Sequence, residues 1–216
     1  VKLIVIVEGH GDVEAVRVLL RRVLQEKLQR YDVAVERSIR VPKGKLLKPG
    51  ELERAVSLAA SRISATDGIV VLVDADDDCP AELAPAMAAR AAESRPDRRI
   101  AVVIAKSEFE SWFVAAADSL AGFRGLSDSL IAPANAEGIR DAKGWLSNKM
   151  PTGLTYRETI DQAAFASRMD LEQAQQCPSF DKFVREIRTL APPANSLNAA
   201  KSDSPAVPAR TNRDLA

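Results

Sequence analysis

VKLIVIVEGHGD, residues 1–12, and VLVDADDDC, residues 71–79, decide the fold. In each, an apolar run rich in β-branched residues stops at an acid, Glu8 in the first and Asp74 in the second. Continuous apolar runs of this length read as strands buried on both faces, as at the centre of a parallel sheet covered by helices. The turn Gly9-His10-Gly11 leads into an amphipathic helix of about five turns. Asp12 is its expected N-cap, and Val13, Val16, Leu20, Val23 and Leu24 recur at helical spacing.

Working outward, residues 33–41 (VAVERSIRV) read as a second strand, and a helix is expected from Pro49 to about Ser64. The strand 69–73 follows, then an alanine-rich helix at 81–93, a strand at 99–105 and a helix at 107–120. The order is βαβαβαβα, which predicts an α/β fold with a mostly parallel four-stranded sheet flanked by helices. After residue 121 the strand signal vanishes. Helices are expected near 156–169 and 180–190, so 121–191 reads as a helical appendage on a core of residues 1–120. Residues 192–216 are rich in Pro, Ala, Ser and Asn and carry too little apolar surface to offset their ordering entropy, so a disordered tail is expected.

Lys+Arg and Asp+Glu both number 30 in the 216 residues, so any electrostatic argument must come from local clusters. One histidine and two distant cysteines, Cys79 and Cys177, supply neither a zinc site nor a disulfide framework. No nucleophile triad and no GxxxxGK[ST] phosphate loop can be assembled. No apolar run approaches the ~20 residues that span a bilayer, and Glu8 comes too early for a signal peptide, so a cytoplasmic protein without a membrane partner is expected.

Ligands of parallel α/β sheets bind at the carboxyl ends of the strands, and here those ends are acidic three times over. Strand one ends in Glu8, the strand 69–73 in Asp74-Ala75-Asp76-Asp77-Asp78, and the strand 99–105 leads through Lys106 to Glu108 and Glu110. Such crowding raises carboxylate pKa values unless cations neutralise it, and hard oxygen donors suit Mg2+ or Mn2+. A calcium loop does not fit, because its sixth position would be Cys79 and its twelfth Pro85. Two residues apart on a helix, Glu108 and Glu110 could not share a face, and the earlier one, Glu108, is the favoured ligand. His10 and Asp12 are candidate accessory residues.

The order Glu-Gly after strand one (VIVEG, 5–9), an amphipathic helix, and a later strand ending in DxDxD (VLVDADDD, 71–78) resembles the Toprim domain. That domain is shared by topoisomerases, bacterial primases, small RNA-maturation nucleases and the overcoming-lysogenization-defect nucleases. The resemblance implies a Rossmann-like fold in which Glu8, Asp74, Asp76 and Asp78 hold magnesium and act on phosphodiesters. KSEFESWF (106–113), TYRETIDQ (155–162) and CPSFDKF (177–183) look like a bacterial family of small, stand-alone Toprim-like proteins of unassigned function. By that likeness a glutamate of the EFE segment joins the metal site, and an ATPase subunit in an anti-phage defence system becomes an expected partner. Gly11-Asp12 departs from that pattern, since many relatives carry Thr-Glu there.

A metal-dependent nuclease is therefore expected. Two cations about 4 Å apart would be held by Asp74 and Asp76, with Glu8 as ligand or general base and Asp78 and Glu108 completing the second site. Its DNA or RNA substrate would be tracked by the acid-free basic stretch Arg37, Arg40, Lys43, Lys45 and Lys48. Two alternatives stay open. One is a catalytically silent Toprim module that binds nucleic acid or a partner; the other is a receiver-like phosphotransfer domain with Asp74 as acceptor and Lys106 as its lysine.

Overall fold

The structure is a computed structural model that describes residues 1–193; the expected tail lies, from residue 194 on, outside the described residues. Strand β1 (Lys2–Val7) runs into α1 (Asp12–Arg22), whose last turns widen into a π turn at Val23–Lys27. The segment expected as one strand at 33–41 forms two short ones, β2 (Ala34–Val35) and β3 (Ile39–Arg40). Both pair with β1, but the register moves on by one residue between Leu3↔Val35 and Ile6↔Ile39, so the chain bulges at 36–38. Helices α2 (Lys43–Leu46) and α3 (Glu51–Ser61) lead to β4 (Gly68–Asp74), α4 (Pro80–Ser94) and β5 (Arg99–Ala105). The sheet therefore has five strands rather than four. All pairings are parallel, in the order β2-β1-β4-β5 with β3 beside β1.

Strand alternation sorts the apolar residues into two layers. Leu3, Val5, Val7, Val70, Leu72 and Val103 face α1 and the helices that follow β5, whereas Ile4, Ile6, Ile69, Val71, Val102 and Ile104 face α3 and α4. Being buried on both sides is why these strands read as unbroken apolar runs.

After β5 come α5 (Ser111–Ala115), α6 (Ala142–Ser147), α7 (Glu158–Arg168), α8 (Leu171–Ala174) and α9 (Pro178–Leu190). α7 packs along α1 and α9 along β5. Aromatic contacts tie them together: Trp112 lies 5.1 Å from Phe180 and Phe113 lies 5.7 Å from Phe165, centroid to centroid. The helices after residue 121 thus complete the core of the strands. Among the described residues, no helix is long and apolar enough to cross a membrane.

Three expected helix starts move. Asp12 is the first helical residue of α1, and Gly11 occupies the cap position. α3 begins after Pro49, behind Gly50 in the left-handed region at φ 81°. The helix expected at 107–120 is a turn at 107–110, then α5, then a 3-10 turn at Ala117–Leu120.

Candidate metal centre

β1 is followed by α1 on one face of the sheet, and β4 by α4 on the other, with the chain leaving toward opposite edges. Adjacent strands whose connections diverge in this way open a crevice at their carboxyl ends. Glu8 follows β1 and Asp74 ends β4, so the first two acids of the expected site flank that crevice.

The loops beyond β4 and β5 are conformationally constrained. Asp76 (φ 51°) and Ser107 (φ 61°) both sit in the left-handed region, unusual for residues other than glycine, and the Asp76 N–H donates to the Ser107 carbonyl at 2.8 Å. This turn explains the lost helix start. It also overturns the argument that Glu108 and Glu110 cannot point the same way, since neither is inside a helix.

Glu110, not Glu108, is the buried acid of the pair. It is fully buried, and its Oε1 accepts from the Tyr156 hydroxyl at 2.9 Å and from the Gln162 amide at 3.2 Å. Its Oε2 has no hydrogen-bond partner; Lys143 Nζ lies 3.9 Å away, an ion-pair distance only. The same Gln162 amide donates to Asp12 Oδ1 at 2.8 Å, while Asp12 Oδ2 accepts from the Gly9 N–H at 2.7 Å. Asp74 is nearly buried and accepts from the Phe109 N–H at 2.8 Å, and its own N–H points at Glu8 Oε1 across 3.4 Å.

The charges in this basin are poorly compensated. Burial first, then the charges of Glu110, Glu8 and Asp12, holds Asp74 well above the usual carboxylate range. Burial pushes Glu110 up to about 8 in spite of Lys143 and Tyr156, and burial with Asp12 and Asp76 raises Glu8. Each shift has the same meaning: the charged form of the carboxylate is disfavoured, by burial first and by neighbouring acids next.

Asp76 and Asp78 belong to a different arrangement from the one expected. Both are exposed, and Lys43 Nζ lies 2.9 Å from each. Lys43 therefore faces the acids, whereas Arg37, Arg40, Lys45 and Lys48 remain exposed. Glu108 is engaged by Lys143. Its Oε2 accepts from the Lys143 N–H at 3.2 Å in the first turn of α6, and Oε1 lies 3.5 Å from Lys143 Nζ. Asp77 pairs with Arg140 at the surface. His10 is exposed in its turn.

Among the described residues, no three His, Cys, Asp or Glu side chains stand together as a ready-made metal cage. Donor chemistry nevertheless fits a hard cation at Glu8, Asp74 and Glu110: all donors are oxygen, the charge is in excess, and one buried carboxylate oxygen lacks a hydrogen bond. A cavity of about 820 Å³ lies elsewhere, along β5 between α4 and α9, and is lined by Ala84, Ala88, Ile100, Val102, Lys106 and Lys182. Its walls are largely apolar, so it does not compete as a site for anionic chemistry. Lys106 reaches that groove.

Lys143, Tyr156, Glu158 and Gln162 went unread in the sequence as site residues. Tyr156, Glu158 and Gln162 all fall within TYRETIDQ, so the signal was present. Gly11 lets them approach, because a Cβ there would stand 2.2 Å from Gln162 Oε1 and 2.7 Å from the Glu158 carbonyl oxygen.

A parallel sheet with helices on both faces and buried acids at its switch point defines an α/β protein of the Rossmann-like kind. The profile of the family described as a domain of unknown function (DUF4276) matches residues 7–188, and the chain belongs to that family. The match takes in the acidic basin, from Glu8 to the helix carrying Gln162. No curated protein and no solved structure matches the chain.

Proposed function

We propose that this protein is a metal-dependent nuclease whose acidic basin cleaves nucleic-acid phosphodiesters. The observation that carries the reading is Glu110: a fully buried carboxylate with an oxygen lacking any hydrogen bond, whose charge, like that of Glu8, raises Asp74 at the sheet's switch point. Ionising a carboxyl group in that condition costs free energy unless a cation joins it.

Glu8, Asp74 and Glu110 would hold Mg2+ or Mn2+. The ion would supply Lewis acidity toward a phosphoryl oxygen and lower the pKa of a water. The Phe109 N–H fixes the Asp74 carboxylate, and Tyr156 and Gln162 fix that of Glu110. Burial and the Glu110 charge raise the Tyr156 phenol, which keeps its proton for that hydrogen bond. Arg37, Arg40, Lys45 and Lys48, exposed beyond β2, would bind the phosphate backbone of DNA or RNA. The resemblance to the Toprim superfamily supports the reaction class, and an ATPase partner in phage defence rests on that analogy alone.

A second reading, a Toprim-like module that binds without cutting, draws support from Lys43, whose ammonium already pairs with Asp76 and Asp78. Cleavage of labelled single- and double-stranded DNA and RNA with Mg2+ or Mn2+ separates the two. Cleavage that Asp74→Asn abolishes supports the nuclease, whereas metal-independent binding without cleavage supports the silent module.

A further inference from the structure

Lys43 is set among oxygens. Its Nζ donates to the Ala75 carbonyl at 2.7 Å and to Asp76 Oδ2 at 2.9 Å, and lies 2.9 Å from Asp78 Oδ2; the side chain is 12 % exposed. An ammonium has three N–H donors, and here three oxygens meet it. Two carboxylates and a carbonyl are also what a hard divalent ion would take.

The lysine is built in rather than leaning on the surface. α2, which carries it, is anchored by Leu46, fully buried under the sheet. Arg90 clamps the chain beyond, donating to the carbonyls of Leu46 and Leu47 at 3.4 Å and of Lys48 at 2.9 Å while paired with Glu53 at 2.8 Å. On the other side, the Asp76 N–H bond to Ser107 fixes the acidic loop. Bringing a dication to Asp76 and Asp78 would require breaking these hydrogen bonds or placing like charges side by side.

We infer that Lys43 takes the place of a second divalent cation, so that the acidic edge accepts a single metal ion, at Glu8, Asp74 and Glu110. This rests on the metal reading proposed above. The consequence is a division of labour in which a side chain occupies the oxygens of Asp76 and Asp78 and only the buried basin responds to metal concentration.

The test is the stoichiometry of Mn2+ binding to metal-free protein, followed by electron paramagnetic resonance, for the wild type and Lys43→Met. The expected result is one site in the wild type and a second in the variant. Two sites in the wild type, or one in both proteins, overturns the inference while leaving the metal reading in place. No site in the wild type overturns the metal reading and the inference with it. Should Lys43→Met fail to fold, the Lys43 ammonium resonance of wild-type protein decides: it persists through the first equivalent of Mg2+ if the inference holds, and its loss at that equivalent contradicts it.

Discussion

Lys143 Nζ stands 3.9 Å from Glu110 Oε2, close enough to share its charge and too far to hydrogen-bond it. The lysine is drawn aside by Glu158 at 2.8 Å and Glu108 at 3.5 Å. Burial disfavours its ammonium, yet these three acids outweigh that and raise its pKa, so it stays charged. One lysine thus serves three glutamates, and the most buried of them lies farthest from it.

The metal-free protein should lose stability as pH rises. Glu110 is raised from its ordinary 4.5 to about 8, so between those values the folded state holds a proton that the unfolded state has released. Stability from this group is full below pH 4.5 and is lost as pH climbs through about 8. Asp74, also raised, adds to the same slope. Thermal unfolding across this range should show a falling midpoint, with a flatter profile for Glu110→Gln and recovery at the alkaline end on adding Mg2+. A midpoint that rises through the window would contradict this.

Removing the phenolic hydroxyl should be felt at Glu110. Tyr156→Phe takes away its 2.9 Å donor and leaves a second buried oxygen poorly satisfied. A loss of about 1–3 kcal/mol is expected by urea denaturation of metal-free protein. A change below about 0.5 kcal/mol, within the range of ordinary surface substitutions, would mean the bond does not hold the carboxylate.

Gly11 is required for space and not for backbone freedom. Gly11→Ala would drive a methyl group against the Glu158 backbone, forcing the start of α7 away from the Gly9–Gly11 turn. Destabilisation of about 1–3 kcal/mol is expected, as for overpacked cores. Gly44→Ala is the contrast, since open space surrounds that position and no steric penalty is expected.

Binding of nucleic acid should depend on salt through Arg37, Arg40, Lys45 and Lys48. Each phosphate contact contributes roughly 0.9 to the slope of log affinity against log salt on duplex DNA, so neutralising all four should flatten it by up to about 4. Fluorescence anisotropy across a salt series measures this. An unchanged slope would exclude these residues from the interface.

Much of the fold was legible because β1, β4 and β5 are buried on both faces and carry unbroken apolar runs. The 33–41 segment misled because a bulge set by pairing with β1 leaves no local mark. The helix start near Ser107 misled for a similar reason: a serine in the left-handed region looks like any helix-compatible residue. In the site, Glu8 and Asp74 could be read from where they sit after strands. The partition between Lys43 and Lys143 could not, because the lysine–acid pairs join residues 33 and 35 positions apart. Glu108 is the acid nearer the strand end, and nothing local marks Glu110 as the buried one of the pair.

The central claim is tested most directly by comparing Glu110→Gln with Glu108→Gln in Mg2+-dependent cleavage of labelled DNA and RNA. The account predicts that wild type cleaves, that Glu110→Gln loses about a hundredfold or more in rate, as for removal of a group that acts on the transition state, and that Glu108→Gln stays within about tenfold of wild type. Cleavage that survives in Glu110→Gln, or none by the wild type on any substrate with either metal, would contradict it.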